Sequence, residues 1–212
     1  MNPKQTALVL IEFQNDFTSP GGVFHEAVRG VMESNNMLNN TLETVAAARK
    51  AGAHIIYVPI SFTEDYHELT ATPYGILKGV VDNGAFKKNN WGSEIIDVLK
   101  PHAEDVVIEG KRGLCSFAST NLDFILRSMG INTVALAGFL TNCCVESTMR
   151  TAYEKGFNVV TLTDCCATLS IEEHNNALTK DFPMFSQPMP HNEFIAILNN
   201  QGALVMEGKG YE

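Results

Sequence analysis

The sequence predicts an α/β fold, a Rossmann-like three-layer α/β/α arrangement with a mostly parallel sheet of about six strands. Three observations carry that expectation. Short, largely apolar runs recur at residues 7–11, 54–58, 133–137 and 158–162, without the polar alternation of a half-exposed strand. Segments with helical spacing of apolar positions lie between them. Several of those segments close on a glycine, at Gly52, Gly130 and Gly156. Repeated strand–helix units build an open parallel sheet with helices on both faces.

The first strand, residues 7–11, runs into Glu12-Phe13-Gln14-Asn15-Asp16-Phe17 and a turn at Ser19-Pro20-Gly21-Gly22. Leu38, Leu42, Val45 and Ala46 mark a helix over about residues 37–49, and residues 54–58 form the second strand. Residues 59–92 then turn polar and aromatic. An unbroken loop of that length is unusual, so local structure and a part in lining a site are expected there. A short helix over about 93–99 leads to a third strand at 105–109 and a helix over about 119–129. The fourth strand, 133–137, precedes the helix that starts near Glu146. The fifth, 158–162, is followed by a helix over 171–179 and a weaker strand around 184–187. The whole of 1–212 reads as one domain, with a core over about 6–190. The tail, about 199–212, carries Gly202, Gly208 and Gly210 and is expected to be loose or to pack on another subunit.

A chain of 212 residues can bury a full core. A net charge of −9 without a Lys/Arg cluster excludes nucleic-acid binding through a basic face. No apolar stretch is long enough to span a bilayer, and the first residues lack a signal-peptide design. Five cysteines, including the adjacent pairs Cys143-Cys144 and Cys165-Cys166 and no CxxC spacing, argue against a disulfide framework or a zinc knuckle. A cytoplasmic protein with reduced thiols is expected.

In an open parallel sheet the ligand sits beyond the carboxyl ends of the strands, where the strand order reverses. The chemically active residues just past strands are Glu12, Lys111, Cys144 and Asp164. A carboxylate, an ammonium and a thiol in one crevice form a nucleophile with its activators. Cys144 lies between strand and helix, where unpaired N–H groups and the helix dipole favour a thiolate, so a lowered pKa is expected. Asp164 is expected to cap a following turn. Cys143, Cys165 and Cys166 are expected to be small buried hydrophobes. Cys115 occupies a small-residue position near Lys111. Phe13, Phe17, Phe62, Tyr74, Trp91, Phe117 and Phe139 are candidates for an apolar pocket wall, at least half of them core. Phe13, Phe17, Trp91, Phe117 and Phe139 are assigned to the substrate.

Four blocks carry a resemblance over about residues 6–190: Leu10-Ile11-Glu12-Phe13-Gln14-Asn15-Asp16-Phe17; Lys111-Arg112-Gly113-Leu114-Cys115-Ser116-Phe117; Gly138-Phe139-Leu140-Thr141-Asn142-Cys143-Cys144-Val145 with Thr148; and Leu162-Thr163-Asp164. With these blocks in this order, the chain resembles the isochorismatase-like cysteine hydrolases, which include nicotinamidases, ureidoacrylate and carbamoyl amidohydrolases, and isochorismatase. The resemblance implies an Asp-Lys-Cys triad, carried here by Lys111 and Cys144 with Glu12 at the aspartate position. Asp16 matches the other acidic position of the motif. A cis peptide is implied at Phe139–Leu140, aiming the backbone N–H groups of Leu140 and Cys144 at an oxyanion. The implied reaction cleaves a C–N bond of a small amide or carbamoyl-type molecule through a thioester. Vinyl ether hydrolysis and a non-catalytic, partner-binding role are the alternatives, and a homodimer or homotetramer is implied. Nicotinamidase-type members hold zinc with an Asp-x-His pair and a further histidine. Asp65-Tyr66-His67 has the first spacing, but no histidine lies between His67 and His102, so no metal or cofactor is expected.

Overall fold

The computed structural model describes residues 1–207, with side chains to residue 200. Its six strands are β1 (Thr6–Ile11), β2 (His54–Val58), β3 (Val106–Val107), β4 (Thr133–Phe139), β5 (Asn158–Ala167) and β6 (Gln187–Met189). All pairings are parallel, in the order β3-β2-β1-β4-β5-β6. The chain walks outward from β1 to β3 and then returns to the other side of β1, so the order reverses between β1 and β4. That is where a crevice opens at the carboxyl ends of a parallel sheet.

The helices are α1 (Asn15–Thr18), α2 (His25–Ser34), α3 (Met37–Ala51), α4 (Gly75–Asn83), α5 (Leu122–Ser128), α6 (Glu146–Glu154), α7 (Ile171–Asn176), α8 (Phe182–Phe185) and α9 (His191–Glu207). β1 is buried along its whole length because its alternate side chains enter different layers. Leu8 and Leu10 join Val45 and Ala48 of α3 and Phe194 and Leu198 of α9. Ala7, Val9 and Ile11 join Leu122 and Leu126 of α5 and Met149 and Ala152 of α6. Among the described residues no helix is long and apolar enough to cross a membrane.

Several expected elements differ. The helix expected over 93–99 is two single turns, Trp91–Ser93 and Asp97–Leu99. Between them the backbone is drawn out to bond the residues after β1, with Asn15 N donating to Glu94 O (2.9 Å) and Ile96 N to Phe13 O (3.0 Å). β3 shrinks from 105–109 to two residues, being an edge strand paired only to β2. The helix expected to reach Thr179 passes at Ala177–Asp181 into a wide turn, and α8 then displaces the last strand to Gln187–Met189. α2 was not anticipated. Of the expected tail, residues 199–207 continue α9; residues 208–212 lie outside the described residues. Phe194 and Leu198, one turn apart, fix α9 to the core. Asp164 lies within β5 and does not cap the turn that follows; its carboxylate accepts the His191 N–H (2.8 Å) at the start of α9 and lies 2.6 Å from the His191 Nδ1.

Asp16 is buried and organises the roof over β1. Its carboxylate accepts from Val23 N (3.2 Å) and Phe86 N (2.7 Å), drawing the 59–92 segment onto α1. Close backbone approach at the crevice requires Gly138, whose φ is +131°. A Cβ built there would lie 1.9 Å from the Ile11 carbonyl oxygen, against the strand that delivers Glu12. Gly138→Ala is therefore expected to lower the unfolding free energy by more than about 3 kcal/mol. The denaturation midpoint reads it, and an unchanged midpoint would show that the β1–β4 seam yields to a methyl group.

Candidate active site

β1 ends at Ile11, opposite Gly138 of β4, and Glu12 turns off the strand with a left-handed φ of 59°. Lys111 arrives from the loop after β3. Both side chains are buried, and the Lys111 ammonium donates to Glu12 Oε1 and to the Gly113 carbonyl (2.7 Å). Lys111 titrates above its ordinary value. Burial is the largest single influence and pulls it down, but the Glu12 carboxylate, Cys144 and the hydrogen bond to Glu12 together outweigh it.

β4 leads through a cis Phe139–Leu140 bond into a wide turn, Thr141–Val145, and then α6. Cys144 sits in that turn, buried, and faces the same cavity as Glu12 and Leu140. Among the described residues the Leu140 N–H meets no hydrogen-bond acceptor. Three threonine contacts hold the turn. Thr148 donates to the Cys144 carbonyl (2.7 Å) and accepts the Ser116 N–H (3.0 Å), tying the Lys111 loop to the Cys144 turn. Thr141 Oγ1 lies 2.8 Å from Nδ1 of the buried His174, a contact with no signal in the sequence spacing.

The charge state of Cys144 differs from expectation. Its thiol is pushed well up, by the neighbouring Cys143, by burial and by the Glu12 carboxylate, with Lys111 opposing. The dipole argument omitted the loss of water, which favours the neutral thiol. Cys143 is half-buried and moves the other way, lowered by its hydrogen bond to Cys144. Cys165 and Cys166 are buried, and burial lifts Cys166 to about 12. Cys115 Sγ lies 3.2 Å from Thr151 Oγ1, away from the cavity lining.

The cavity measures about 350 Å³, at the small end of the range for ligand sites. Of the five aromatic residues assigned to substrate, Phe17 lines it. The other four do not. Phe139 stacks behind Phe17 with ring centroids 4.9 Å apart, and Phe13 meets Phe139 edge-on at 5.5 Å, so both are core. Phe117 packs on Phe157 in the opposite layer. Trp91 is half exposed and contributes its carbonyl to Asn15 Nδ2 (2.9 Å). The remaining walls come from Phe24, Phe86, Ile60, Leu114 and Leu169, and from Ile76, Leu77 and Val80 of α4. α4 lies inside the 59–92 segment, which does line the cavity. Asp65 and His67 are exposed and face each other at 3.3 Å.

Residues 6–193 match the model of the isochorismatase domain. A ureidoacrylate amidohydrolase of Acinetobacter baylyi is 30% identical, over 92% of this chain and 87% of its own length. The fold matches a cysteine hydrolase from Pseudomonas syringae pv. phaseolicola with a TM-score of 0.83 at 22% identity, covering 95% of both chains. An isochorismatase family protein from Burkholderia thailandensis matches with a TM-score of 0.73 at 30% identity, covering 94% of this chain and 97% of its own. The protein is thus a hydrolase on a six-stranded, all-parallel α/β scaffold. The chain belongs to the isochorismatase family.

Burial holds His174 below its ordinary value of 6.5, so the folded chain takes up this proton less readily than the unfolded chain. The corresponding stability is complete above about pH 6.5 and is lost as the pH falls toward the lowered value. Melting temperatures from about pH 7 to 5.5 are expected to fall more steeply for wild type than for His174→Gln. Parallel curves would show that His174 carries no such penalty.

Proposed function

We propose that the chain is a cysteine amidohydrolase that cleaves a C–N bond of a small amide or carbamoyl-type substrate through a thioester on Cys144. The observation that carries this reading is the buried Lys111–Glu12 pair beside a buried thiol on one cavity at the strand-order reversal. A thiol held neutral needs a base at the moment of attack, and Glu12 is the carboxylate on its cavity. The similarity to the Acinetobacter ureidoacrylate amidohydrolase supports C–N cleavage over vinyl ether hydrolysis.

In the first step Glu12 takes the Cys144 proton as Sγ attacks the carbonyl carbon. The N–H groups of Leu140 and Cys144 receive the oxyanion, and such preorganised donors are each worth roughly 3–4 kcal/mol to a transition state. The tetrahedral adduct collapses, the C–N bond breaks, and Glu12 returns the proton to the departing ammonia or amine. In the second step Glu12 takes a proton from water, which attacks the thioester. The C–S bond then breaks, and the proton restores the thiol. Lys111 balances the negative charge as it moves from carboxylate to sulfur.

Ammonia release across small primary amides tests the reading. Cys144→Ala is expected to be silent. Glu12→Gln is expected to lose about 10²–10⁴-fold in kcat, while Glu12→Asp keeps a measurable fraction. Full activity in Glu12→Gln would remove this carboxylate from the mechanism.

A further inference from the structure

The site's chemistry is polar, yet its cavity is not. Beyond Glu12 and Cys144, every side chain on the lining is hydrocarbon, with Phe17, Phe24, Phe86, Leu77, Val80 and Leu169 forming most of the wall. Among the described residues no lysine, arginine or histidine lines it. Several cations close in sequence to the lining residues are already paired. Lys111 donates to Glu12 and Gly113, Arg112 to Glu68 (2.7 Å) and Lys87 to Glu64 (2.7 Å). Among the described residues the one charged side chain on the lining is Glu12.

From this lining we propose that the substrate is an uncharged primary amide with an apolar acyl group, and that amides bearing a carboxylate are excluded. The inference rests on the amidohydrolase reading for its chemistry, but the cavity alone carries the charge selection. A carboxylate on the acyl group would lose its water against aromatic and aliphatic walls, gain no cation and face Glu12. Ureidoacrylate, a urea with its carboxylate on the nitrogen substituent, would bring the same anion into the cavity, so this chain departs from the substrate in the Acinetobacter relative's name. An alkyl or aryl acyl group instead gains about fourfold in binding for each methylene it buries. The acid released by hydrolysis is an anion in the same unfavourable surroundings, which promotes its departure. A half-buried position, Leu77 of α4, controls this selection: a long cationic side chain there would keep its stem on the wall while its head reaches a carboxylate.

Two measurements decide it. In the first, kcat/KM is compared for 3-methylbutanamide, hexanamide and benzamide against succinamate and ureidoacrylate. The neutral amides are expected to lead by at least about 100-fold, on the scale by which apolar pockets discriminate. Leu77→Arg is expected to narrow that gap at least tenfold. Equal or better turnover of the carboxylated amides by wild type would overturn the inference. The second measurement needs no turnover. Iodoacetamide and iodoacetate each form a carbon–sulfur bond at Cys144 and release iodide, with Glu12 taking the thiol proton. Their rates at the Cys144 peptide, read by mass spectrometry, are normalised to the ratio for free cysteine. Preference for the neutral reagent beyond the free-cysteine ratio supports the inference, and its absence overturns it. Silence on every amide with a strong alkylation preference would sink the amidohydrolase reading while leaving the charge selection standing.

Discussion

The Lys111–Glu12 ion pair is the constraint on which the rest of this molecule turns. Both partners are out of water, and desolvating two charges offsets most of their attraction unless the geometry and remaining hydrogen bonds are good. The Gly113 carbonyl supplies one such bond to the ammonium. Removing either partner would leave a lone buried charge at a cost of about 3–5 kcal/mol, so the fold must deliver both residues together. Their segments are therefore held from several directions. Gly138 lets β1 and β4 close up beneath Glu12, and Asp16 ties the next turn to the roof. Glu68 accepts the Arg112 guanidinium beside Lys111, and Thr148 joins Ser116 to the Cys144 turn.

This pair also explains why a thiol pushed upward in pKa is compatible with nucleophilic chemistry. A resting thiolate beside Glu12 would set two negative charges against one ammonium in a site walled by hydrocarbon. With Cys144 neutral, the buried charges balance. Transfer of the proton to Glu12 moves the negative charge onto sulfur without changing the net charge of the group. Lys111, whose proton affinity the Glu12 carboxylate raises, is the cation that balances it. The ion pair thus turns burial from an obstacle into the reason that deprotonation waits for substrate.

The fold and the site were legible to different depths for physical reasons. β1, β2 and β4 are buried on both faces, so their apolar runs mark them without tertiary information. Edge and end elements were misjudged because their bounds depend on neighbours. β3 has one partner strand, and the segment around Ile95 is extended only because it bonds back to the residues after β1. The spacing of Phe194 and Leu198 did carry the signal for α9, but the glycines beyond them concealed it. Glu12, Lys111 and Cys144 could be found because each follows a strand, whereas Asp164 lies within β5. The cavity wall could not, since Phe24, Phe86 and Leu169 come from three distant segments with no shared local pattern. Phe13, Phe117 and Phe139 look the same in sequence and belong to the core. The charge state of Cys144 was misjudged for a related reason, because desolvation is a property of the packed molecule.

The hydrocarbon wall and the ion pair also depend on each other. Water in the cavity would screen the Lys111–Glu12 attraction and stabilise charged intermediates indiscriminately, whereas apolar walls leave the fixed donors of the turn as the favourable place for an oxyanion. The same walls make any further charge in the cavity expensive. A substrate that brings its own charge would add an unpaired charge beside the Lys111–Glu12 pair and the neutral Cys144 thiol. One that is uncharged until attacked develops charge only at the carbonyl, where the turn can meet it. On the proposed reading, selection against charged substrates and the poise of the thiol have one physical origin: a balanced pair of buried ions beside an apolar pocket.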